Sequence, residues 1–471
     1  MVFSSLEFIF IFIPIVFVGY FTFNAYKLTS IAQIWLILSS LFFYSYWNIN
    51  YLPLLLISIV VNFTLSKMLM NFSSNIWFIS KKILLLAGIA FNLFLLIYFK
   101  YMDFFIVNLN LVANFDIALL HYALPLAISF FTLQQIAFII DSYEGLVKEK
   151  SFINYTMFVT FFPQLIAGPI VHHKEMMSQF ASHDTKVFNR GNMHLGVYIF
   201  SIGLFKKVIL ADTFAIWSDE GFINSVSLNT LEAWATSTSY SLQLYFDFSG
   251  YSDMAVGLAL MFNIVIPHNF NSPFQALSII DFWKRWHMTL TNFIASYIYT
   301  PLLMSLKNIT LCNAMIATFV TMQIAGIWHG PEWKYIVFGT LHSIALVVNH
   351  LWRTFNYKIH KVLAWGLTFI FINITLTIFR GDTLAQSYDI IYQMFDYSNI
   401  WLSWEKVNHI QMCYIIFGLF IALCAKNVLS FLKDKTYNTP FALLLFLIAV
   451  LQLNNFVISS YQTSKFIYFN F

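Results

Sequence analysis

Apolar segments long enough to cross a membrane recur along the whole of this 471-residue sequence. A helix that spans a hydrocarbon core about 30 Å thick needs roughly 20 consecutive apolar residues. The sequence therefore predicts an all-α membrane protein with roughly 11–12 membrane segments plus shallow or re-entrant helices. The apolar windows lie at 6–23, 30–47, 51–66, 82–99, 118–140, 194–212, 236–263, 311–328, 334–351, 362–379, 411–425 and 441–458.

The composition excludes an ordinary soluble domain. Hydrophobic residues make up 59% of the chain and charged residues 10%, against roughly 25% charged residues in soluble domains. The net charge is +4, and because the basic residues punctuate the apolar windows without forming a long run, no nucleic-acid partner is indicated. By the positive-inside rule, the cytoplasmic candidates are the basic connections at 81–82, 148–150, 353–361 and 426–435. We expect a multi-pass protein surrounded by the lipid bilayer.

The apolar windows are spread evenly, without a linker or an internal repeat, so we expect one membrane domain over residues 1–471. The apolar N-terminal segment lacks a basic region and a cleavage site, and we interpret it as a retained helix. The two longest polar stretches, 171–193 and 381–409, are candidates for surface amphipathic elements. The three cysteines lie inside apolar segments, and His172–His173 is interpreted as a surface pair, so neither a disulfide framework nor a metal site is indicated.

Ionisable residues are concentrated between positions 240 and 301, inside segments of membrane-grade hydrophobicity. A charge at the centre of a membrane helix costs about 2.5–3.5 kcal/mol on insertion scales, so such residues usually face a cavity or one another. We therefore expect function to be concentrated here and at His329. The polar residues of this region include Gln243, Asp247, Asp253, His268, Asp281, Lys284, Arg285 and His287.

The stretch "DFWKRWHMTL", residues 281–290, has two interpretations. On a single helix, Asp281 and Arg285 would be i,i+4 neighbours and would pair, while Trp283 and His287 would share another face. One interpretation is an interfacial belt of aromatic and basic residues around a self-paired helix. The other is a site-lining helix whose His287 faces a polar cavity.

In "YFDFSGYSD", residues 245–253, two carboxylates flank a Ser-Gly pair. We interpret Ser249–Gly250 as a flexible polar break in a long apolar window, at which Asp247 and Asp253 would line a path for substrate. Carboxylates at a broken helix would equally suit an ion-coupled transporter, and these residues alone leave both interpretations open.

The stretch "QIAGIWHGPEWKY", residues 323–335, places one histidine at the end of an apolar window. A helix in this window is predicted to end near Trp328, because Gly330 and Pro331 both stop helices, which leaves His329 in the last turn. A histidine with an ordinary pKa of about 6.5 would serve as a general base, and the alternative is a capping or interfacial histidine. The motifs G-x-S-x-G, P-loop and H-E-x-x-H are absent from the sequence.

Seven stretches taken together resemble one family, the membrane-bound O-acyltransferases (MBOAT), and within it the branch associated with O-acetylation of alginate and other polysaccharides. The resemblance covers the part of the chain from about 125 to 471. The stretches are "ISFFTLQQIAFIIDSYEG" (128–145), "FFPQLIAGPIVHHKEM" (161–176), "GLFKKVILAD" (203–212), "LQLYFDFSGYSDMAVGLALMFN" (242–263), "NFNSPFQALSIIDFWKRWHMTL" (269–290), "GIWHGPEWKYIVFGTLH" (326–342) and "FIYFNF" (466–471).

The resemblance implies a helical funnel through the membrane with the motif histidine at its narrow point. The W-H-G motif falls on His329 and the F-W-x-R-W-H motif falls on His287, which are the implied catalytic residues. The residues expected to line the tunnel are Trp283, Trp286, Trp328, Gln243, Asp247, Asp253, Lys284 and Arg285.

The resembling branch is bacterial and takes an acyl group from a cytoplasmic thioester, which implies acetyl-CoA as donor substrate and no bound cofactor. It delivers the acyl group to an extracytoplasmic polysaccharide, usually with a partner of the SGNH-hydrolase type. This sequence departs from the branch at Ala295–Ser296, where an Arg-Asp pair is usual. D-alanyl transfer to teichoic acid is the alternative enzymatic function, and ion-coupled transport is the alternative from another class.

The aromatic stretch "FIYFNF", residues 466–471, also has two interpretations. Its composition is typical of an aromatic anchor at the membrane interface, whereas the resembling branch carries similar terminal motifs. Because the ordinary pKa of tyrosine, about 10, lies near the value of about 8.5 for a thiol, an aryl ester would stay activated for onward transfer. We therefore predict that Tyr468 takes the acyl group, with His329 as the base.

Overall fold

The computed structural model describes residues 1–72, 80–148, 150–166, 168–399, 408–434, 438–458 and 466–467. Every regular element in these ranges is helical, which confirms the all-α class and a polytopic membrane protein. Seven of the described helices are long and apolar enough to cross a membrane, namely Phe8–Ala25, Ile49–Met70, Lys81–Ala113, Leu311–His329, Trp333–Thr354, Lys361–Arg380 and His409–Asp434. Two shorter apolar helices accompany them, Thr29–Ser45 and Thr439–Asn455.

The first half of the chain forms eleven α-helices within the described residues. Several start at a capping side chain, since Ser80, Ser151 and Asn189 each accept a backbone N–H of the first turn. The helices are α1 (Ile13–Ala25), α2 (Thr29–Ser45), α3 (Leu52–Met70), α4 (Lys81–Leu96), α5 (Met102–Ala113), α6 (Ile128–Tyr143), α7 (Phe152–Thr160), α8 (Phe162–Leu165), α9 (His173–Ala181), α10 (Arg190–Phe205) and α11 (Asp212–Ile223). Three π-helical segments adjoin them, Phe8–Phe12, Ile97–Tyr101 and Lys206–Ala211.

The second half begins with the longest uninterrupted α-helix of the described chain, which starts at a capping box formed by Asn229 and Glu232. A further π-helical segment, Ala295–Tyr299, follows α14. The helices are α12 (Thr230–Met261), α13 (Ile279–Trp283), α14 (Met288–Ile294), α15 (Thr300–Ser305), α16 (Leu311–His329), α17 (Trp333–Thr354), α18 (Lys361–Arg380), α19 (Leu384–Phe395), α20 (His409–Cys424), α21 (Val428–Asp434) and α22 (Thr439–Ile458).

Helix α12 forms the centre of the fold and is buried along most of its length. It packs against α10, α11, α18 and α19. Gly250 of α12 lies so close to Gly203 of α10 that a Cβ built on Gly203 would be 2.6 Å from the Gly250 carbonyl oxygen. Gly257 and Gly196 form a second approach of this kind on the same two helices. Small residues at a crossing let helix backbones touch, which is how helices commonly associate in membranes.

The predicted break at Ser249–Gly250 is wrong, because α12 continues without interruption from Thr230 to Met261. The glycine provides the close approach to α10 and does not interrupt the helix. The two carboxylates that suggested a break are paired with lysines of the neighbouring segment Lys206–Ala211. Their charges are therefore accommodated between packed helices, where no break is needed.

The predicted amphipathic stretches, 171–193 and 381–409, each contain a short helix with one buried face. These helices are α9 and α19. The other predicted windows outside the candidate spans fall on α6, which has only 16 residues, on α10 and on α12, which is rich in serine and threonine. These helices form the interior of the described bundle, which explains why they are more polar than the lipid-facing spans. The buried residues of α9 are His173, Met176, Met177 and Phe180, and those of α19 are Ser387, Ile390 and Met394.

Candidate active site

His329 is the last residue of α16, which is where the sequence predicted the helix to end. Its side chain is buried, and its ring packs edge-on against Phe379 with 5.2 Å between ring centroids. Gly330 follows because a Cβ at this position would collide with the ring of Tyr335. The chain thus turns away directly after His329. The rings around His329, called the aromatic wall below, belong to Trp328, Tyr335, Phe338 and Phe379.

Lys100 and Tyr101 hold the end of α16 from another helix. Lys100 Nζ donates to the carbonyl oxygen of Trp328 at 2.6 Å and to Ser129 Oγ at 3.1 Å, and Tyr101 Oη donates to the carbonyl oxygen of Ile327 at 2.7 Å. The last carbonyls of a helix have no partner within the helix, and a cation is favourable beside them. These two side chains therefore satisfy the carbonyls that immediately precede His329.

Sequence reasoning missed Lys100 and Tyr101. The available signal was a lysine directly after the apolar window 82–99, which usually indicates a side chain that snorkels to the interface. The π-helical segment Ile97–Tyr101 instead directs Lys100 inward, where it is buried. Irregular turns of this kind are frequent at functional sites.

For the acyl transfer that the resembling motifs imply, replacing Lys100 with methionine is expected to lower the rate by roughly tenfold or more and to lower the midpoint of thermal unfolding. The physical reason is the loss of a hydrogen-bond donor from buried carbonyls beside His329. The measurement is CoA release by the purified protein in liposomes, together with a thermal unfolding curve. Lys82→Met removes an exposed lysine from the same candidate span and is the matched control. Unchanged transfer by Lys100→Met would show that this capping does not position His329.

His287 lies in a turn between two short helices, and the prediction of one helix over 281–290 is wrong. Helix α13 ends at Trp283 and α14 begins at Met288, while His287 adopts a left-handed backbone conformation with φ of 45°. Its ring is 1% exposed, packs edge-on against Phe248 at 4.8 Å, and has Nδ1 3.3 Å from Asn269 Oδ1. The turn directs His287 into the interior.

Trp328 brings the two histidines together. The Trp328 ring lies 6.2 Å from the ring of His287 and 5.1 Å from the ring of His329, centroid to centroid. The end of α16 therefore meets the α13–α14 turn at this indole. The sequence motifs that contain these three residues are 41 positions apart along the chain but adjacent in the fold.

A third buried histidine, His342, was quoted in a family stretch but given no role by sequence reasoning. Trp283 Nε1 donates to His342 Nδ1 at 3.1 Å, and His342 Nε2 is 3.1 Å from Thr375 Oγ1. Because Nδ1 accepts, Nε2 carries the proton and donates to Thr375. Both ring nitrogens are thus hydrogen-bonded, Nδ1 to Trp283 and Nε2 to Thr375. Trp286 is also buried and stacks on Phe282 at 5.5 Å.

The intramembrane carboxylates form ion pairs. Lys207 Nζ lies 2.8 Å from Asp247 Oδ1 and 2.7 Å from Asp212 Oδ1, and Lys206 Nζ lies 2.7 Å from Asp253 Oδ2. Both lysines come from the π-helical segment beside α10, so the carboxylates face packed helices. Gln243 is buried on the same helix as the two aspartates.

Arg285 forms the predicted pair with Asp281, with Nε 2.8 Å from Oδ1, and its Nη1 donates to the carbonyl oxygen of Asn271 at 3.3 Å. Lys284 is exposed. Lys284 therefore lies at the surface and Arg285 is half-buried, both outside the buried group formed by the histidines and Trp328.

Two residues of the C-terminal aromatic stretch lie inside the bundle. Phe466 is buried and stacks on Tyr251 with 4.5 Å between ring centroids, and the backbone N–H of Ile467 donates to Asp247 Oδ2 at 2.8 Å. Phe466 is also 6.3 Å from the ring of Phe248, which packs on His287. One aromatic ring thus separates this stretch from His287. Tyr468 lies outside the described residues.

A cluster of metal-ligand side chains lies away from the histidines of the site. Asp141 Oδ2 is 2.7 Å from His172 Nε2, 2.9 Å from His173 Nε2 and 2.9 Å from the Tyr297 hydroxyl. The interpretation of this histidine pair as a surface feature is wrong for His173. This side chain is buried, and its ring packs edge-on against Phe138 of α6.

Hydrogen bonds join the side chains of this cluster to Asp141. The separations of 2.7–2.9 Å are shorter than the ~3.3 Å between ligands around tetrahedral zinc, and His172 Nδ1 accepts from the backbone N–H of Lys174 at 3.2 Å. Burial raises the pKa of the Asp141 carboxyl, but hydrogen bonds from His172, His173 and Tyr297 outweigh burial and hold its pKa well below its ordinary value. Burial lowers the pKa of His173, so an ionised Asp141 faces a neutral His173.

A cavity of about 360 Å³ opens beside the turn that follows His329. It lies between the end of α5, the start of α17 and the α18–α19 connection. Its mixed lining of apolar, acidic and basic side chains differs from the aromatic wall around His329. The lining residues are Phe104, Val107, Asn108, Leu111, Pro331, Glu332, Trp333, Lys334, Asp382, Thr383 and Leu384.

Comparison with known proteins matches residues 41–384 to the family model described as "MBOAT, membrane-bound O-acyltransferase family". The chain is 41% identical to the "Peptidoglycan O-acetyltransferase" of Helicobacter pylori, over 100% of this chain and 98% of the relative. It is 34% identical to the "Probable alginate O-acetylase AlgI" of Pseudomonas aeruginosa, over 93% of this chain and 83% of the relative. It is 29% identical to the "Teichoic acid D-alanyltransferase" of Bacillus subtilis, over 54% of this chain and 68% of the relative.

Proposed function

Because the chain belongs to the membrane-bound O-acyltransferase family and is an O-acetyltransferase of that family, we propose that it moves acetyl groups across the membrane for a cell-surface polysaccharide. The donor in this proposal is acetyl-CoA on the cytoplasmic side, and the acceptor is an extracytoplasmic polymer. Peptidoglycan is the first acceptor to test, since the relative that carries that name aligns over all of this chain.

The observation that carries the proposal is the burial of two histidines against one indole. His287 and His329 both pack on Trp328 and both are nearly inaccessible to solvent. Acyl transfer from a thioester needs a deprotonated hydroxyl, a carbonyl held in place and the exclusion of water that would hydrolyse the ester. A buried pair of imidazoles can supply the first two needs, and the aromatic wall supplies the third.

In the proposed step, His329 accepts the proton of the attacking hydroxyl. The hydroxyl oxygen forms a bond to the thioester carbonyl carbon, the C–S bond breaks, and the sulfur leaves with the proton as CoA thiol. His287 orients the reacting groups. A positioned general base contributes roughly 10²–10⁴-fold to such a reaction, so His329 is the residue on which the rate depends most.

We further propose that the attacking hydroxyl is the phenol of Tyr468. The position of Phe466 and Ile467 supports this. The backbone N–H of Ile467 donates a hydrogen bond to Asp247, and the ring of Phe248 packs against both Phe466 and His287. The phenol would lose its proton to His329 and become an aryl acetate. An extracytoplasmic partner of the SGNH-hydrolase type would then transfer the acetyl group to a polymer hydroxyl, which regenerates the phenol.

The alternatives have less support. The D-alanyltransferase relative aligns over 54% of this chain, against 100% for the peptidoglycan relative. An ion-coupled transporter was suggested by carboxylates at a broken helix, but Asp247 and Asp253 lie on a continuous helix and are each paired with a lysine.

The proposal is tested with the purified protein in liposomes and acetyl-CoA labelled in the acetyl group. We expect release of CoA and transfer of label to the protein. If a carrier-protein D-alanyl thioester reacts and acetyl-CoA does not, the acetyl assignment is wrong. Flux driven by a pH gradient, with neither CoA release nor label on the protein, would support the transporter instead.

A further inference from the structure

The side chain of Asn269 contacts the ring of His287 and is fully buried. It belongs to the irregular segment between α12 and α13 and was quoted only as the first residue of a family stretch. Its side-chain oxygen Oδ1 is 2.6 Å from Thr289 Oγ1, 3.4 Å from the backbone N of Thr289 and 3.3 Å from His287 Nδ1. Three groups from the α13–α14 turn therefore converge on one amide oxygen.

The hydrogen bonds around Thr289 determine which end of the Asn269 amide faces His287. The backbone N–H of Ile170 donates to Thr289 Oγ1 at 3.0 Å, so the hydroxyl proton of Thr289 points elsewhere and donates to Asn269. The backbone N–H of Thr289 is also a donor to the same atom. With the amide reversed, two N–H groups would face each other, so the oxygen is the atom that faces the histidine.

The orientation of the amide sets the tautomer of His287. Because Asn269 Oδ1 only accepts, His287 Nδ1 must carry the proton and donate it. The lone pair of the neutral imidazole is then on Nε2. In catalytic histidines, the partner of one ring nitrogen sets the tautomer and the direction of the ring in the same way.

The backbone of the segment between α12 and α13 also holds the α13–α14 turn in place through hydrogen bonds. The N–H of Met288 donates to the carbonyl oxygen of Asn269 at 2.9 Å, and the N–H of Asn271 donates to the carbonyl oxygen of Arg285 at 2.9 Å. These two bonds bracket His287, whose φ of 45° is a conformation that residues other than glycine seldom adopt. Strained backbone persists where the surroundings over-determine it, and it is concentrated at functional sites.

Asn269 also carries an unsatisfied group. Its Nδ2 has no hydrogen-bond partner within the described part of the chain, although the residue is fully buried. A buried amide N–H without a partner is destabilising. A residue kept only for packing would avoid this penalty, which points to a need for the amide oxygen beside His287.

We propose that Asn269 is a positioning residue that holds His287 as its Nδ1–H tautomer and directs Nε2 toward the reacting atoms. The proposal rests on the proposed acyl transfer at this site. In that reaction, His287 Nε2 accepts a hydrogen bond from the reacting groups, and Asn269 acts only through His287. Thr289 supports the amide from the opposite side.

The test compares the pH dependence of CoA release for wild type, Asn269→Asp and Asn269→Leu. Aspartate keeps an acceptor for both Thr289 and His287 but adds a negative charge, which stabilises the imidazolium. A neutral imidazole is needed for the reaction, and rates fall as pH falls through the acid limb. We expect Asn269→Asp to move the acid limb to higher pH by about one unit, and Asn269→Leu to lose roughly tenfold or more at every pH.

Other titratable groups surround this site and are unchanged in the comparison. They are His329 on α16, His342 on α17, Lys100 on the Ile97–Tyr101 segment, and Asp247 on α12 with its partner Lys207. Because all variants share them, a difference between Asn269→Asp and wild type reports the group that residue 269 contacts. Asn224→Asp, at an exposed position on α11's end, is the matched control and should keep the wild-type profile.

The outcomes separate this proposal from the function it rests on. If wild type releases no CoA from acetyl-CoA, the proposed function is wrong. If wild type is active and a folded Asn269→Asp protein shows a lower rate with an unmoved acid limb, Asn269 is only structural and the positioning role is overturned. Should Asn269→Leu fail to fold, the Asp variant still decides the question.

Discussion

His329→Gln is expected to reduce acyl transfer by roughly 10²–10⁴-fold while leaving the fold intact. Glutamine approximates the volume of histidine and can fill the space among Phe338, Phe379 and Trp328, but it cannot accept a proton at neutral pH. The aromatic wall therefore stays packed while the base is lost. The measurement is CoA release by the purified protein in liposomes, with size-exclusion and thermal unfolding profiles to establish folding.

The matched control for this prediction is His360→Gln. His360 is exposed and precedes α18, without a side-chain hydrogen bond to the helix start. It should retain the wild-type rate. A folded His329→Gln protein that transfers acetyl groups at a near-normal rate would remove His329 from the mechanism, and attention would move to His287.

Tyr468→Phe is expected to abolish polymer acetylation in cells and the labelling of the protein by acetyl-CoA. The substitution removes one oxygen atom and keeps the ring, so the docking of the aromatic stretch through Phe466 and Ile467 should persist. Without the phenol there is no atom to carry the acetyl group. Polymer acetylation is measured by release of acetate from isolated cell-wall polymers after mild base treatment.

Tyr357→Phe removes the same oxygen from an exposed loop residue and is the control for Tyr468→Phe. Retained polymer acetylation by Tyr468→Phe would rule out the relay, and the acetyl group would then pass directly to the acceptor. Combining the two experiments is informative, since loss of label in His329→Gln but not in Tyr468→Phe would place the label on another side chain.

Local rules of the sequence were sufficient for several features. The end of α16 at His329 follows from Gly330 and Pro331, and the pair between Arg285 and Asp281 follows from i,i+4 spacing. Both depend on residues within one helical turn of each other. Such short-range features can be read from one sequence, because few arrangements of the rest of the chain change them.

Other features depend on contacts between segments that are distant in the sequence, so local patterns did not predict them. The spacing of Trp283 and His287 was compatible with one helix, but the backbone bonds from Asn269 and Asn271 turn the chain at His287. Ser249–Gly250 suggested a break, but α10 packs closely against Gly250 and α12 runs through this position without interruption. In both cases a long-range contact overrode the local pattern.

The sequence by itself determined that this chain is an all-helical membrane protein of the O-acyltransferase family, because hydropathy and ordered motifs persist along hundreds of residues. Only the tertiary structure decided which polar groups meet. It placed Lys100 on the end of α16, Asn269 against His287 and Ile467 on Asp247, through contacts between residues 228, 18 and 220 positions apart. The physical reason is that a buried polar group must find a partner in space, and sequence distance does not constrain which partner that is.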